Sequence, residues 1–404
     1  MADSTRSADP RGAASSGLRL AVVTETYPPE INGVANTLHQ MVAGLGQRGH
    51  RLLLIRPGQA QAADPRRAAT VREEFTGGLP LPGYPGLQLG LPAGRRIRRL
   101  WQQFQPQAAY IATEGPLGRS ALAVARTMGV PALTGMHTNF DQYSRHYGVG
   151  LLSPLIQHYL RQFHNRSAGT LAPTREMADT LLQHGFRNIH TWPRGVDAEL
   201  FDPQRRDPAL RASWGADAGA PVVLYVGRIA PEKNVDLALQ AFHAIQTRLP
   251  RARFVVVGDG PARERLQQAC PEAVFTGAKV GEELARHYAS GDLFLFPSLT
   301  ETFGNVVLEA MASGLAVLAY DTAAARELIA DGANGRVCAP GEATAFVQLA
   351  VQLACEPPAL AQLGAAARAT ALAHAWPAII ARLETLFRTL VNPTAEDAAN
   401  ENAA

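Results

Sequence analysis

The chain is short of the features that mark a disulfide framework, a zinc module or a membrane span. Its 404 residues include 3 cysteines, Cys270, Cys338 and Cys355. An odd count with no Cys-x-x-Cys spacing argues against disulfides and structural zinc, and it fits a reducing, cytoplasmic setting. No apolar run reaches the roughly 18 to 20 residues that a spanning helix needs, so membrane contact is expected only peripherally, on an inner membrane face. Charge is also scarce in excess: the formal net is +3, and no basic tract is interleaved with aromatics, so nucleic acid is not expected as a partner. The opening segment is built of Ala, Ser, Asp, Arg and Gly and lacks the apolar stretch of a secretory signal. Residues 1–17 and 391–404 are therefore read as disordered tails.

What is present is enough apolar material for two cores. Hydrophobic residues make up 47% of the sequence, and single cores seldom grow past about 250 to 300 residues. Short β-branched or leucine-rich runs at 19–24, 51–55, 108–111, 131–134, 169–172 and 189–192 alternate with helical patterns at 34–48, 120–128, 151–165 and 175–184. A second set of strands is expected at 222–226, 254–257, 273–276, 293–296, 316–319 and 335–338. Such arrays predict mostly parallel sheets covered on both faces. The fold class is thus α/β, with two Rossmann-like doubly wound domains facing a central cleft. The boundaries are placed at 18–193 and 194–375, the segment 195–220 being the connection and 376–390 a final helix. In open sheets of this kind ligands lie beyond the carboxyl ends of the strands.

Two acidic residues stand out at one such end, in the run Leu299-Thr-Glu-Thr-Phe-Gly-Asn-Val-Val-Leu-Glu-Ala-Met, which contains Glu301 and Glu309. A strand ends before it, Gly304 allows close backbone approach, and Val306, Val307, Leu308 and Met311 supply the buried face of a helix. A helix start offers unpaired amides that suit a phosphate, and flanking carboxylates suit sugar hydroxyls. If one helix carried both glutamates they would stand roughly 12 Å apart along its axis, too far to grip one atom. Earlier in the chain, Tyr225-Val-Gly-Arg-Ile-Ala-Pro-Glu-Lys-Asn places Arg228 and Lys233 after a strand and a glycine turn. A planar guanidinium and a point-charge ammonium together suit a diphosphate. No Asp-x-Asp triplet follows a strand-like run, so the usual carboxylate pair that presents a divalent cation is missing. The two cations would then neutralise the leaving group without a metal.

With these residues in view, the sequence resembles the retaining glycosyltransferases of family 4, of the two-domain GT-B architecture, and in particular their GDP-mannose-dependent and sulfoquinovosyl-type branch. The ordered blocks are Tyr27-Pro-Pro-Glu-Ile-Asn-Gly-Val, His137-Thr-Asn-Phe, Pro193-Arg-Gly-Val-Asp, Gly227 to Lys233, Val257-Gly-Asp-Gly-Pro, and Glu301 to Glu309, spanning roughly residues 18–390. Where many members carry Gly-Gly after the early prolines, this chain has Asn32-Gly33. The resemblance implies a nucleotide-sugar donor, a lipid or glycan acceptor, no cofactor and no metal. It assigns catalysis to His137, Arg228, Lys233 and Glu301. Donor contacts fall to Gly33, Arg194, Gly227, Gly258, Lys279, Val280, Phe303, Gly304, Asn305, Val306 and Glu309, with Glu301 on the sugar and Glu309 on the ribose. Acceptor contacts fall to Asn32, Gly33, Asp141 and Tyr143.

Each assignment has a plainer alternative. Glu301 and Glu309 also suit a cap and a surface carboxylate, Arg228 and Lys233 a solvated surface, and His137 a structural histidine. Loop packing accounts for Asp141, Tyr143 and Tyr147, a hinge salt bridge for Arg194 and Asp197, a simple turn for Gly258, and an N-cap for Thr174. A nucleotide-sugar epimerase shares the paired sheets, and a two-lobed sugar-binding protein shares the cleft. Near residue 100, Ile97, Leu100, Trp101 and Phe104 form an apolar stripe opposite Arg95, Arg98 and Arg99. That helix either rests on an anionic bilayer or packs on its own domain.

Overall fold

The computed structural model describes residues 17–30, 32–58, 69–80, 88–137, 153–217 and 219–393. The first lobe is built on a seven-stranded sheet in the spatial order Val71–Thr76, Arg51–Pro57, Arg19–Val23, Ala108–Ile111, Ala132–Gly135, Gly169–Ala172 and Ile189–Thr191. Every pairing in it is parallel. Successive residues of one strand serve opposite faces. Leu20, Val22, Leu52 and Leu54 pack toward the helix Gly33–Gln47, whereas Ala21, Val23, Leu53 and Ile55 pack toward the helices Gly94–Phe104 and Pro116–Met128. This is why the strands read as unbroken apolar runs rather than as alternation. The edge strand Val71–Thr76 was not expected from the sequence. Its Val-Arg-Glu-Glu-Phe-Thr is half charged, as an edge exposed to water tolerates, and it carries no apolar run.

The second lobe repeats the plan with six parallel strands, in the order Val274–Gly277, Arg253–Val257, Val222–Val226, Leu293–Phe296, Ala316–Tyr320 and Arg336–Cys338. The central strand Val222–Val226 is buried throughout. The chain leaves the first lobe and re-enters it side by side: the Val196 amide donates to the His374 carbonyl, and the Trp376 amide donates back to Val196, both at 3.1 Å. The helix Trp376–Val391 then buries Trp376, Ile379, Ile380, Leu383 and Phe387 against the first lobe's Leu38, Met41, Val42 and Leu45. Glu384, on its inner face, binds Arg48 and Arg388. A second bridge joins the lobes where Glu176 pairs with Arg326 and accepts the Ala323 amide at 3.2 Å, while the Arg175 amide donates to Glu327.

Thr174 is the expected N-cap, accepting the Met177 amide at 3.1 Å. In the helix Gly94–Phe104 the apolar stripe is already used: Ile97, Leu100 and Trp101 lie in the first-lobe core, so the packing alternative holds for that face. Arg95, Arg98 and Arg99 remain exposed. Among the described residues no helix is long and apolar enough to cross a membrane.

Candidate active site

The carboxyl ends of both sheets open on one cleft of about 1060 Å³. On the second-lobe side its floor is the junction of the strand Leu293–Phe296 with the helix Asn305–Ala312. Gly304 stands at the helix start with φ of +89° and no side chain to cap it, a conformation that glycine adopts without strain. The first-turn amides of Asn305 and Val306 have no acceptor inside the helix, and both residues line the cleft. Because the helix begins only at Asn305, Glu301 sits on the preceding loop, and the axial separation expected for one continuous helix does not apply.

Lys233 meets Glu301 directly: Nζ lies 2.5 Å from Oε1 and 3.3 Å from the Thr300 carbonyl. The Ser298 hydroxyl donates to the same Glu301 oxygen at 2.9 Å. The contact holds because the Leu299 amide is hydrogen-bonded to the Glu232 carbonyl at 3.1 Å, stitching the two loops together. Arg228 lines the same cleft but is 65% exposed and turned onto Glu232. Glu309 accepts the Tyr288 hydroxyl at 3.0 Å. Burial pushes its carboxyl up to about 7, with the tyrosine bond opposing.

Across the gap, His137 is bracketed. Arg194 Nη2 lies 2.8 Å from Nδ1, and Tyr110 Oη lies 3.0 Å from Nε2. A guanidinium only donates, so Nδ1 is the acceptor and Nε2 carries the hydrogen toward Tyr110. Burial and the neighbouring Arg194 charge hold the imidazole's pKa well below the ordinary histidine value. A neutral ring with both nitrogens engaged has no free lone pair to act as a base, while His137 keeps its place in the cleft lining. Arg194 itself is 5% exposed, and among the described residues it has no carboxylate partner. The alternative of a hinge salt bridge to Asp197 fails, since that carboxylate accepts the amides of Glu199 and Leu200.

The cleft brings together Asn32, Gly33, His137, Arg194, Gly227, Arg228, Lys233, Val280, Glu301, Phe303, Gly304, Asn305, Val306 and Glu309. Gly33 and Asn305 face each other across the lobes, a Cβ on the glycine standing 3.6 Å from Asn305 Nδ2. The Asn32 side chain does structural work, Oδ1 accepting the Ala35 amide and Nδ2 donating to Thr26. Two expected donor residues lie elsewhere. Gly258 packs its backbone against Gly227 rather than lining the cleft. Lys279 is paired with Glu283 at 2.6 Å outside the lining. Asp141, Tyr143 and Tyr147 fall outside the described residues.

Sequence reasoning missed Glu30, Asn36, His39 and Gln40 on the first-lobe wall, and Trp376 from the returning helix. The signal for three of them was available: Asn36, His39 and Gln40 are one turn apart on a single face of the helix that follows the Asn32-Gly33 loop. Nothing local to Trp376 marks it, because the chain crossing alone brings it to the cleft.

The comparisons with known proteins follow this geometry. The family model described as "Glycosyltransferase Family 4" matches residues 31–200, and the one described as "Glycosyl transferases group 1" matches residues 220–356. A GDP-mannose-dependent alpha-mannosyltransferase of Mycobacterium tuberculosis (strain CDC 1551 / Oshkosh) is 38% identical over 330 residues, covering 81% of this chain and 85% of that protein. The sulfoquinovosyl transferase SQD2 of Arabidopsis thaliana is 30% identical over 332 residues, 79% of this chain and 62% of that protein. Among solved structures, a sucrose-phosphate synthase from Thermosynechococcus elongatus aligns with a TM-score of 0.74 over 93% of this chain and 100% of its own, at 17% identity, a likeness of fold alone.

Proposed function

Because the chain belongs to glycosyltransferase family 4, with the GT-B arrangement of two facing sheets, we propose that it transfers mannose from GDP-mannose to a lipid or glycan hydroxyl, retaining configuration and using no metal. One observation carries the reading: Lys233 and Arg228 line the same cleft as Glu301, Glu309 and the uncapped amino end of the helix Asn305–Ala312. A diphosphate seated there meets two cations and open amides. Mannose and GDP are favoured by the 38% identity to a GDP-mannose-dependent enzyme. In the proposed step the acceptor oxygen bonds to the anomeric carbon as the sugar–phosphate bond breaks, and the acceptor proton passes to the departing diphosphate. Glu301 then binds sugar hydroxyls and needs no nucleophilic role, while Lys233 and Arg228 stabilise the leaving charge. The grouping of His243, Cys270 and Glu272, which has metal-ligand chemistry, does not line this cleft. Family membership removes the epimerase and binding-protein alternatives.

Heat stabilisation by a donor panel tests the reading. A ligand at 100 times its Kd adds about 2.7 kcal/mol to the folded state, so GDP-mannose should raise Tm by several degrees. Transfer of sulfoquinovosyl or glucosyl from a UDP-sugar is the second reading, supported by the 30% identity to the Arabidopsis sulfoquinovosyl transferase. Stabilisation by UDP-sugars alone would select it, and stabilisation by neither class would remove both.

Glu309 adds a pH signature. Burial pushes its carboxyl from an ordinary 4.5 up to about 7, so the protonated form prevails only below about pH 7, and ionisation must precede acceptance of two ribose hydroxyls. Donor affinity should therefore rise about tenfold between pH 6 and pH 8. Calorimetric titration with GDP-mannose, whose diphosphate diester does not titrate there, reads this directly. Glu309→Gln should flatten the profile, and an equally steep profile in that variant would exclude Glu309 as its source. By the same linkage the folded state binds the extra proton, so the unliganded protein should lose stability as pH rises from about 4.5 to 7.

A further inference from the structure

At the end of the second-lobe sheet away from the cleft, three side chains of metal-ligand type converge. We infer that His243, Cys270 and Glu272 form a site for a borderline divalent ion of the zinc class, which ties the helix Val235–Arg248 to the turn ahead of the strand Val274–Gly277 and takes no part in sugar transfer.

Backbone structure sets two of the ligands close together. The helix Arg263–Ala269 ends at Cys270, whose amide donates to the Leu266 carbonyl at 3.0 Å. The Ala273 amide then returns to the Cys270 carbonyl at 3.1 Å, closing a four-residue turn with Pro271 at its second position, where a fixed φ suits the bend. Glu272 follows in the same turn and accepts a hydrogen bond from the Cys270 thiol. From its helix, His243 brings Nε2 to 3.3 Å from Glu272 Oε1. The three donor atoms lie within 4.8 Å of one another. Bonds of about 2.0 to 2.3 Å in a tetrahedron hold ligand atoms roughly 3.3 to 3.7 Å apart, so the histidine and glutamate already stand at ligand spacing. Their side chains are 45% and 42% exposed and can close on the buried sulfur.

The residue types choose the ion. Magnesium and calcium take oxygen ligands, whereas a thiolate, an imidazole and a carboxylate together suit zinc, with water in the fourth position. Thiolate and carboxylate supply two negative charges for one divalent cation, and the imidazole binds neutral. Burial, and then the Glu272 carboxylate, push the thiol up to about 12, so without a metal the sulfur holds its proton. Binding exchanges that S–H bond for a sulfur–metal bond, with the proton released to solvent. The carboxylate that opposes thiol ionisation is the one that draws the cation in. The turn leads into the amino end of a strand in a parallel sheet whose carboxyl ends face the cleft, which is why the ion stays clear of the donor.

The test uses the full, untagged chain, stripped with a chelator and titrated with cobalt(II), a spectroscopic stand-in for zinc. A cobalt–thiolate bond has a sulfur-to-metal charge-transfer absorption that carboxylate and imidazole ligands lack. The native chain should develop this band with one equivalent of cobalt, lose it to one equivalent of zinc, and melt several degrees higher with zinc bound. Cys270→Ser should abolish the band. Loss of an outer-shell partner alone costs a metal site roughly 10- to 100-fold in affinity, so His243→Ala should weaken binding by at least about 100-fold. His243 is exposed and its variant leaves the core thiol in place, so the test survives if Cys270→Ser fails to fold. Cys338→Ser should change nothing, because that thiol lies outside the group. A native chain without the band, a band that persists in Cys270→Ser or vanishes in Cys338→Ser, or undiminished affinity in His243→Ala overturns the inference and leaves an ion pair of His243 with Glu272 above a core cysteine. No donor is needed for any of these readings, so they stand or fall separately from the proposed function.

Discussion

Lys233→Met should yield a folded protein whose kcat/KM has fallen about a thousandfold. The ammonium is held inside the cleft, its side chain 18% exposed, by Glu301 at 2.5 Å and the Thr300 carbonyl at 3.3 Å. Negative charge builds on the diphosphate only as the sugar–phosphate bond breaks, so a fixed cation there acts on the transition state more than on the bound donor. Removing such a group costs roughly 3 to 4 kcal/mol, which is two to three decades in rate. The loss should sit at the upper end because the Glu301 carboxylate would then face the diphosphate without the ammonium that now neutralises it. Lys233→Arg keeps the charge and should restore part of the activity. Arg228→Ala should cost less, since that guanidinium is 65% exposed and shared with Glu232. Steady-state kinetics beside thermal melts check the set. A Lys233→Met enzyme within tenfold of the native rate would mean that another group carries the leaving charge.

Gly258→Ala should be among the most damaging single changes to stability, although the residue does not line the cleft. Its φ is +147°, and an added Cβ would stand 1.9 Å from the Gly227 carbonyl oxygen and 3.0 Å from that carbonyl carbon. Both atoms are backbone, so no side chain can swing aside. The two glycine turns end neighbouring strands, Val222–Val226 and Arg253–Val257, and are tied by the Gly227 amide to the Val257 carbonyl at 3.0 Å. Overlap there must push the Gly227 turn outward and take Arg228 with it. Strain plus overpacking puts the expected cost at about 4 kcal/mol, or roughly 10 °C in Tm, with weakened donor binding as a second readout. A melting point within 2 °C of native, on the scale of about 1 kcal/mol or less, would show that the strands separate more easily than their packing implies.

Much of the cleft lining on the second-lobe side was legible because its residues are local to one another in the chain. Arg228 and Lys233 follow one strand, Glu301 and Glu309 follow another, and each pair lies within ten residues of its partner. A glycine turn and a helix start need only short-range sequence to specify them, so their residue types mark them as parts of the cleft lining. The second-lobe strands are buried on both faces, and they read as apolar runs for the same reason. Gly258 shows where that reading misleads. A glycine-rich turn looks the same whether the missing Cβ makes room for a phosphate or for a neighbouring carbonyl, and only the partner strand decides.

The remaining features depend on which distant segments meet. The neutral state of His137 follows from burial and from the charge of Arg194, and its tautomer from Arg194 and Tyr110, which lie 57 and 27 residues away along the chain. The titration of Glu309 near 7 follows from burial beside Tyr288. Glu30, Asn36, His39 and Gln40 became one wall of a cleft because the second lobe stands opposite them. From order and residue type alone came the two α/β lobes, the cleft at their strand ends and the cations and carboxylates on its second-lobe side, since backbone periodicity and charge are written position by position. Protonation states, the pairing of Lys233 with Glu301 and the make-up of the first-lobe wall of the cleft came from tertiary structure, because desolvation and Coulomb energy depend on distances in space that the order of residues does not contain.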